Sequence, residues 1–375
     1  VQEGELIFED ERVDVSDLMF SRKRKVLTGV SYNRAKRKRV FFDDWRGDIQ
    51  IKLEAQLPGY EIGITSFSKD ETKAIVVAYS DKSRGEYYFY NTETNKLTSL
   101  GKISPWLNED HMAEMVPIVY TSRDGLTING YLTIPKGSDG KNLPIVVNPH
   151  GGPWARDSWG YNPEIQFLAN RGFAVFQMNF RGSTGYGREF WESSFKEWGK
   201  SMQDDITDGV MWLISEGIAD PDRIAIYGAS YGGYATLAGL TFTPDLYACG
   251  VDYVGVSNIF TLLETLPPYW ELGRQMMYEM IGNPETEKDL LTAASPIFHV
   301  DSIKVPLFVA QGANDPRVKQ AESDQIVEAL SSRGVDVPYM LKENEGHGFS
   351  NEENKFDFYR EMERFLTKHI GIENL

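Results

Sequence analysis

A serine in a glycine-rich segment is the side chain of this sequence best placed for nucleophilic chemistry. Ser230 lies in GASYGG, which follows the apolar run RIAIYG and leads into the apolar run YATLAGLTF. A G-x-S-x-G segment between a strand and a helix forms a tight turn that exposes the serine hydroxyl. Its small residues let the chain pass close to adjacent elements. The segment therefore predicts covalent catalysis by Ser230.

A hydroxyl is a weak nucleophile at neutral pH, so Ser230 requires a base and an acid that orients the base. In proteins with such a turn, these partners follow in the order Asp and then His. Asp315 stands in GANDPRV after the buried run VPLFVAQG, and His347 stands between two glycines in ENEGHGF. We predict that His347 takes the Ser230 proton and that Asp315 fixes the imidazole tautomer.

The same chemistry requires donors for the negative charge that develops on the carbonyl oxygen. The backbone N–H of Tyr231 follows the nucleophile and opens the next helix, which suits it to this task. A second candidate is Gly152 in PHGGPW, directly after the run LPIVVN, because glycine permits a close approach of the backbone. His150 opens that loop, and we expect it to orient the loop rather than to act as a base.

The elements that must hold these residues alternate between strands and helices from Val116 onward. A hairpin turned at Asp124-Gly125 is followed by five buried runs: LPIVVN, FAVFQMNF, RIAIYG, CGVDYVG and VPLFVAQG. Stretches such as DDITDGVMWLISEG and ENKFDFYREMERFLTKHIG lie between or after them, with apolar residues at helical spacing. Residues 111–375 are therefore expected to form one α/β domain with a doubly wound, mainly parallel sheet.

Residues 18–110, within an expected N-terminal domain at 1–110, read as short strands without a helical period. The stretch from Tyr60 to Gly101 contains four strands, and Leu18–Gly59 can be read in the same way, which is typical of four-stranded propeller blades. An ordinary antiparallel sheet is the alternative. Because so few blades cannot close a propeller, we expect a removed N-terminal portion or another chain to cover the open edges. A first residue of Val rather than Met agrees with processing or with a longer parent chain.

Composition limits the classes of partner. The 375 residues are 41% hydrophobic, and the formal net charge of −16 comes mainly from residues 111–375. An acidic body disfavours nucleic acid and anionic membranes, and the basic clusters SRKRK and RAKRKR are better explained as an exposed blade face. The single cysteine, Cys249, excludes an intrachain disulfide and is expected to be a buried structural thiol.

The sequence shows no recognisable targeting segment and no recognisable cofactor motif. No apolar run is long enough to span a membrane, and the acidic first residues do not resemble a signal peptide. We expect a cytoplasmic protein, with a periplasmic or secreted location open if a leader was removed. No phosphate-binding loop, HExxH motif or EF-hand is present, so neither a cofactor nor a metal is expected.

Five motifs in this order resemble the catalytic domain of the prolyl oligopeptidase family, and most closely its acylaminoacyl-peptidase branch. They are NPHGGPWARDSWGY, GFAVFQMNFRGSTGYG, GASYGGYAT, GANDPRV and EGHGF. The resemblance implies an α/β-hydrolase domain behind a β-propeller, with Ser230, Asp315 and His347 as the triad. It also implies oxyanion donors at Gly152 and Tyr231, and a substrate-organising role for Arg317. Tyr rather than Asn after the nucleophile argues against the strict prolyl endopeptidase branch.

Substrate contacts and activity leave alternatives open. Trp154 and Tyr186 could line the pocket or pack within loops, and Arg317 could instead form a surface ion pair. Residues 258–298 could roof the pocket or simply pack. We expect a serine peptidase that acts on short peptides or on acylaminoacyl or aminoacyl N-termini, without nucleic-acid or membrane partners. Formation of a homo-oligomer and association with a missing N-terminal propeller portion are both left open. A carboxylesterase and a catalytically inert binding protein are the alternatives.

Overall fold

The computed structural model describes residues 4–371. The N-terminal strands are β1 (Val15–Ser21), β2 (Val26–Asn33), β3 (Arg37–Phe41), β4 (Glu61–Phe67), β5 (Lys73–Tyr79), β6 (Glu86–Asn91) and β7 (Lys96–Lys102), with helix α1 (Asp44–Gln56) after β3. β4–β7 form the four-stranded antiparallel sheet that the sequence predicts for Tyr60–Gly101, in the order β4-β5-β6-β7. β1–β3 form a separate three-stranded antiparallel sheet.

The prediction of strands without a helix before residue 60 is wrong, because α1 occupies the segment DIQIKLEAQ. Ile49, Ile51 and Leu53 alternate along the sequence and mimic a half-buried strand. In the structure, Ile49 and Leu53 are buried one helical turn apart, whereas Ile51 is 66% exposed. The Asp43 side chain accepts a hydrogen bond from the Arg46 N–H and caps the first turn. Leu18–Gly59 is therefore three strands and a helix rather than a four-stranded blade.

An eight-stranded mixed sheet follows. Its strands are β8 (Glu114–Thr121), β9 (Thr127–Ile134), β10 (Leu143–Val147), β11 (Ala174–Asn179), β12 (Ala219–Ala229), β13 (Cys249–Tyr253), β14 (Leu307–Gly312) and β15 (Tyr339–Lys342). They lie in the order β15-β14-β13-β12-β10-β11-β9-β8. β8 and β9 form the predicted hairpin, β9 pairs antiparallel with β11, and β10–β15 run parallel. This is the doubly wound, mainly parallel α/β-hydrolase sheet that the sequence predicts.

Helices cover both faces of this sheet. They are α2 (Pro163–Asn170), α3 (Arg188–Glu192), α4 (Ser201–Ser215), α5 (Tyr231–Phe242), α6 (Ile259–Glu264), α7 (Arg274–Met280), α8 (Lys288–Ala294), α9 (Gln320–Ser331) and α10 (Glu352–Ile370). In β10, Ile145 and Val147 join the apolar cluster that contains α4, α5 and α9, whereas Val146 joins the cluster formed with α2 and α10. Burial on both faces explains why these strands are apolar throughout.

Cys249 is buried in β13, as expected for a structural thiol. Burial raises the pKa of this thiol to about 12, so it stays protonated and unreactive at neutral pH. Across residues 4–371, no helix combines the length and the apolar character needed to cross a bilayer.

Candidate active site

Ser230 stands at the sharp turn between β12 and α5. Its backbone angles are φ 60° and ψ −117°, which is a strained conformation for a residue with a side chain. Close packing holds the turn in place. A Cβ atom added at Gly232 would lie 2.2 Å from the Pro149 carbonyl oxygen, so the turn touches the loop that follows β10. The predicted strand–turn–helix context of Ser230 is therefore present.

Asp315 and His347 meet beyond the ends of β14 and β15. The His347 Nδ1 atom lies 2.7 Å from Asp315 Oδ2, and the Asp315 carboxylate is fully buried. The other carboxylate oxygen, Oδ1, accepts hydrogen bonds from the N–H groups of Arg317 and Val318. These bonds fix the carboxylate, so the imidazole is held in one orientation.

A second buried carboxylate shapes the loop that carries His347. Glu345 accepts hydrogen bonds from the backbone N–H groups of Ser350 and Asn351, from the Ser350 hydroxyl and from the Asn354 amide. Burial alone would raise the pKa of Glu345, but these hydrogen bonds hold it below its usual range. The Glu345 carboxylate thus joins the two ends of the loop by hydrogen bonds, and His347 lies between those ends.

Tyr253, the last residue of β13, connects the turn at Ser230 with the loop that carries His347. The Ser230 N–H donates to the Tyr253 carbonyl at 2.9 Å, and the Tyr253 hydroxyl accepts a hydrogen bond from the N–H of Phe349. His347 is paired with Asp315 through Nδ1, which leaves Nε2 as the ring nitrogen that can accept the Ser230 proton in the predicted triad.

Two backbone N–H groups stand beside Ser230 without acceptors. Within the described part of the chain, neither the Gly152 N–H nor the Tyr231 N–H donates a hydrogen bond. Both residues line one cavity together with Ser230. Unsatisfied donors next to a nucleophile are the arrangement needed to bind an oxyanion.

The cavity beside Ser230 has a volume of about 320 Å³. It is lined mainly by aromatic and aliphatic side chains: Trp154, Trp198, Tyr231, Val256, Leu262, Tyr269, Trp270, Met276, Met277, Ile281 and Val318. Arg317 is the one charged residue among those that line it. Such a cavity accepts an apolar side chain and offers no carboxylate to a positively charged group.

The segment 258–298 contributes much of this lining, so it covers the pocket as well as packing on the core. Its ends are tied together, because the Ile297 N–H donates to the Ser257 carbonyl. Glu322 in α9 anchors the start of the segment by accepting hydrogen bonds from the N–H groups of Ser257 and Asn258. The sequence pattern allowed either role for this segment. Neither the place of Trp198 in the cavity nor the anchoring role of Glu322 was predicted. The dense aromatic and methionine content of the segment was the available signal.

The predicted substrate-binding residues have different environments. Trp154 and Arg317 line the cavity, and Arg317 is exposed, forms no ion pair within residues 4–371 and lies 6.0 Å from the Trp270 ring centroid. Tyr186 does not line this cavity. Its hydroxyl accepts hydrogen bonds from Arg156 and Asn179.

Arg156 explains the position of Tyr186 in the fold. Its guanidinium also donates to the carbonyl groups of Asn33 and Arg34 in the turn between β2 and β3. Tyr186 therefore helps, through Arg156, to attach the β1–β3 sheet to the α/β part of the chain. The structure gives no support to the prediction that it contacts substrate.

His150 opens the loop that contains Gly152, and its Nδ1 atom lies 2.8 Å from the Gly151 carbonyl oxygen. Its ring stacks on Phe180 with centroids 4.4 Å apart. Burial lowers the pKa of His150 to about 4, so the imidazole is neutral at physiological pH. A neutral ring that lacks a carboxylate partner is poorly suited to be the base, in agreement with the predicted role in orienting the loop.

Among residues 4–371, no group of three or more histidine, cysteine or acidic side chains is arranged to hold a metal ion.

Known proteins are similar to this chain in sequence and in fold. A dipeptidyl aminopeptidase BIII from Pseudoxanthomonas mexicana is 43% identical over 98% of this chain and 54% of its own length. The crystal structure of a puromycin hydrolase has a TM-score of 0.73 at 27% identity, over 80% of this chain and 46% of that one. The Pyrococcus horikoshii acylaminoacyl peptidase has a TM-score of 0.76 at 22% identity, over 97% of this chain and 57% of that one, which shows a shared fold.

The chain spans about half the length of the curated relatives it matches. Residues 159–373 match the family described as the prolyl oligopeptidase family, and this range contains all three predicted triad residues. Together with the identity to the dipeptidyl aminopeptidase, the match confirms the resemblance seen in the five motifs. The chain belongs to the prolyl oligopeptidase family.

Proposed function

We propose that this chain is a serine peptidase that acts on short peptides through an acyl-enzyme on Ser230. The observation that carries the proposal is the strained Ser230 beside two N–H groups without acceptors, at the edge of one apolar cavity. An inert relative would have no requirement for this strain and these unpaired donors. Relatives named as peptidases give the proposal further support.

In the proposed mechanism, His347 removes the Ser230 proton as the oxygen attacks the substrate carbonyl. The N–H groups of Gly152 and Tyr231 bind the resulting oxyanion. His347 then gives its proton to the leaving amine, and an acyl-enzyme remains. In the second step, His347 removes a proton from water as the water attacks the acyl-enzyme, and it then returns that proton to Ser230 as the acid is released. Asp315 stabilises the imidazolium in both steps.

The cavity suggests the class of residue at the cleaved bond. Apolar walls favour burial of a large aliphatic or aromatic side chain on the residue that acylates Ser230, since each buried methylene contributes about 0.8 kcal/mol. Arg317 at the cavity edge can donate hydrogen bonds to a substrate carbonyl. We therefore propose acylaminoacyl or short peptide substrates with a bulky apolar residue before the cleaved bond.

A comparison of substrates that differ in the leaving group or in the side chain before the cleaved bond tests this proposal. The ratio kcat/KM is measured for an N-acyl-phenylalanine anilide, the matching aspartate anilide and the matching phenylalanine ester. Amide turnover that favours phenylalanine and is lost in Ser230→Ala supports a peptidase. Turnover of the ester alone would instead favour the carboxylesterase, and no turnover of any substrate would favour the inert binding protein.

We also propose that residues 1–110 and 111–375 form two domains. The last strand of the N-terminal sheets ends at Lys102 and the first strand of the mixed sheet begins at Glu114, which supports this division. We further propose a cytoplasmic location, and association either with a second copy of the chain or with an N-terminal propeller portion.

A further inference from the structure

The oxyanion donor on Gly152 is carried by a peptide group whose other end is fixed by a histidine. The Gly151 carbonyl and the Gly152 N–H belong to one planar trans peptide, so they point in opposite directions. His150 Nδ1 lies 2.8 Å from the Gly151 carbonyl oxygen. A bond that holds this carbonyl therefore also sets the direction of the N–H of Gly152, a residue that lines the Ser230 cavity.

The surrounding hydrogen bonds select the tautomer that can make this bond. A carbonyl oxygen only accepts, so Nδ1 must carry the proton. Nε2 of a neutral ring then accepts, and Ser183 Oγ lies 2.9 Å from it. The Ser183 hydroxyl also lies 2.7 Å from the Phe180 carbonyl and can donate to it instead. A proton on Nδ1, which the Gly151 carbonyl requires, assigns the hydroxyl proton to Nε2 of the neutral ring.

The ring has little freedom to turn away. Phe180 stacks on it and is fully buried, and Ser183 is also fully buried. The loop that contains Ser183 is held at its start by Arg181, whose backbone and side chain both donate to the buried Asp205. The imidazole is thus fixed by packing on one face and by a hydrogen bond at Nε2.

We propose that His150 is a positioning residue that aims the Gly152 N–H at the oxyanion by holding the Gly151 carbonyl through Nδ1–H. This inference rests on the proposed function. His150 makes no contact with substrate in this role and transfers no proton. Its contribution should therefore appear in the transition state and not in substrate binding.

Asparagine and glutamine separate this role from simple packing. The amide nitrogen of Asn branches from Cγ, as Nδ1 does, and can still donate to the Gly151 carbonyl. The Gln amide reaches the position of Nε2 instead, and Phe keeps the stacking on Phe180 but has no donor. His299→Phe is the matched control, because His299 also contacts a phenylalanine and a backbone carbonyl but lies away from the cavity.

The experiment measures kcat, KM and the melting temperature for the wild type and the four variants on one acyl-amino-acid anilide. Complete loss of an oxyanion donor costs about 10²–10³-fold in kcat, so a misaimed donor should cost roughly 10–100-fold. We expect this loss in His150→Gln and His150→Phe with KM little changed. His150→Asn should stay within about fivefold of the wild type, because it keeps the same hydrogen bond.

The Asn and Gln variants have similar polarity, so their comparison stands even if His150→Phe fails to fold. Equal kcat in the Asn and Gln variants would overturn the inference, as would a loss seen only in KM. In either case, an active wild type and an inactive Ser230→Ala would leave the proposed function intact. An inactive wild type would overturn the proposed function and this inference together.

Discussion

Substitution of Gly232 by alanine tests whether the loop after β10 must touch the turn at Ser230. The new Cβ atom would lie 2.2 Å from the Pro149 carbonyl oxygen, whereas real Cβ atoms essentially never approach closer than 3.0 Å. The loop must therefore retreat by about 1 Å, and it carries the Gly152 N–H with it. A misplacement of this size can cost about 10²-fold in rate, which corresponds to about 2.7 kcal/mol of transition-state stabilisation.

Gly47→Ala in α1 is the matched control for Gly232→Ala. Both glycines lie in helices, but the Cβ atom at Gly47 would meet only Phe41 at an ordinary 3.5 Å. Steady-state kinetics on a peptide anilide should show the loss in Gly232→Ala and unchanged kcat/KM in Gly47→Ala. Removal of a helical glycine stabilises by up to about 1 kcal/mol, so the control should also melt at a slightly higher temperature. A kcat/KM within threefold of the wild type in Gly232→Ala would refute the reasoning.

Three further predictions follow, two from the candidate site and one from the buried Asp252 in β13. Asp315→Asn should lower kcat by roughly 10³–10⁴-fold with a normal melting temperature, and near-normal kcat would show that another acid orients His347. Arg317→Met should lower kcat/KM for peptides by about 10–100-fold without a change in stability, and unchanged kinetics would place Arg317 outside the substrate site. Burial raises the pKa of Asp252 to about 7. The folded state therefore binds this proton more tightly than the unfolded chain does. As a result, the free energy of unfolding should fall as the pH rises from about 4 to 7. Urea unfolding at pH 5 and pH 8 should show a smaller fall in Asp252→Asn than in the wild type, and an equal fall would contradict the assigned pKa.

Local sequence patterns supplied the candidate residues for the proposed chemistry. The turn at Ser230 requires small neighbours, and that requirement is visible in the sequence as a glycine motif. Asp315 follows a buried run and His347 follows the next strand along the chain, and parallel strands end at the same edge of a sheet, so the meeting of Asp315 and His347 could be expected. The buried runs also predicted the central sheet.

Side chains that act through distant contacts could not be found in this way. Trp198 reaches the cavity from the loop before α4, and no local pattern marks it as a pocket residue. Glu322 holds a segment that lies 64 residues earlier in the chain. The helix α1 was missed for another reason, because Ile49, Ile51 and Leu53 fit both periods and only tertiary packing decides which of them is buried.

Covalent labelling tests the nucleophile most directly. The protein is treated with a fluorophosphonate, its intact mass is measured, and the modified residue is located by proteolysis and mass spectrometry. We predict one adduct per chain, located on Ser230 and absent from Ser230→Ala. Absence of an adduct on the wild type, or an equal adduct on Ser230→Ala, would contradict the proposed acyl-enzyme chemistry.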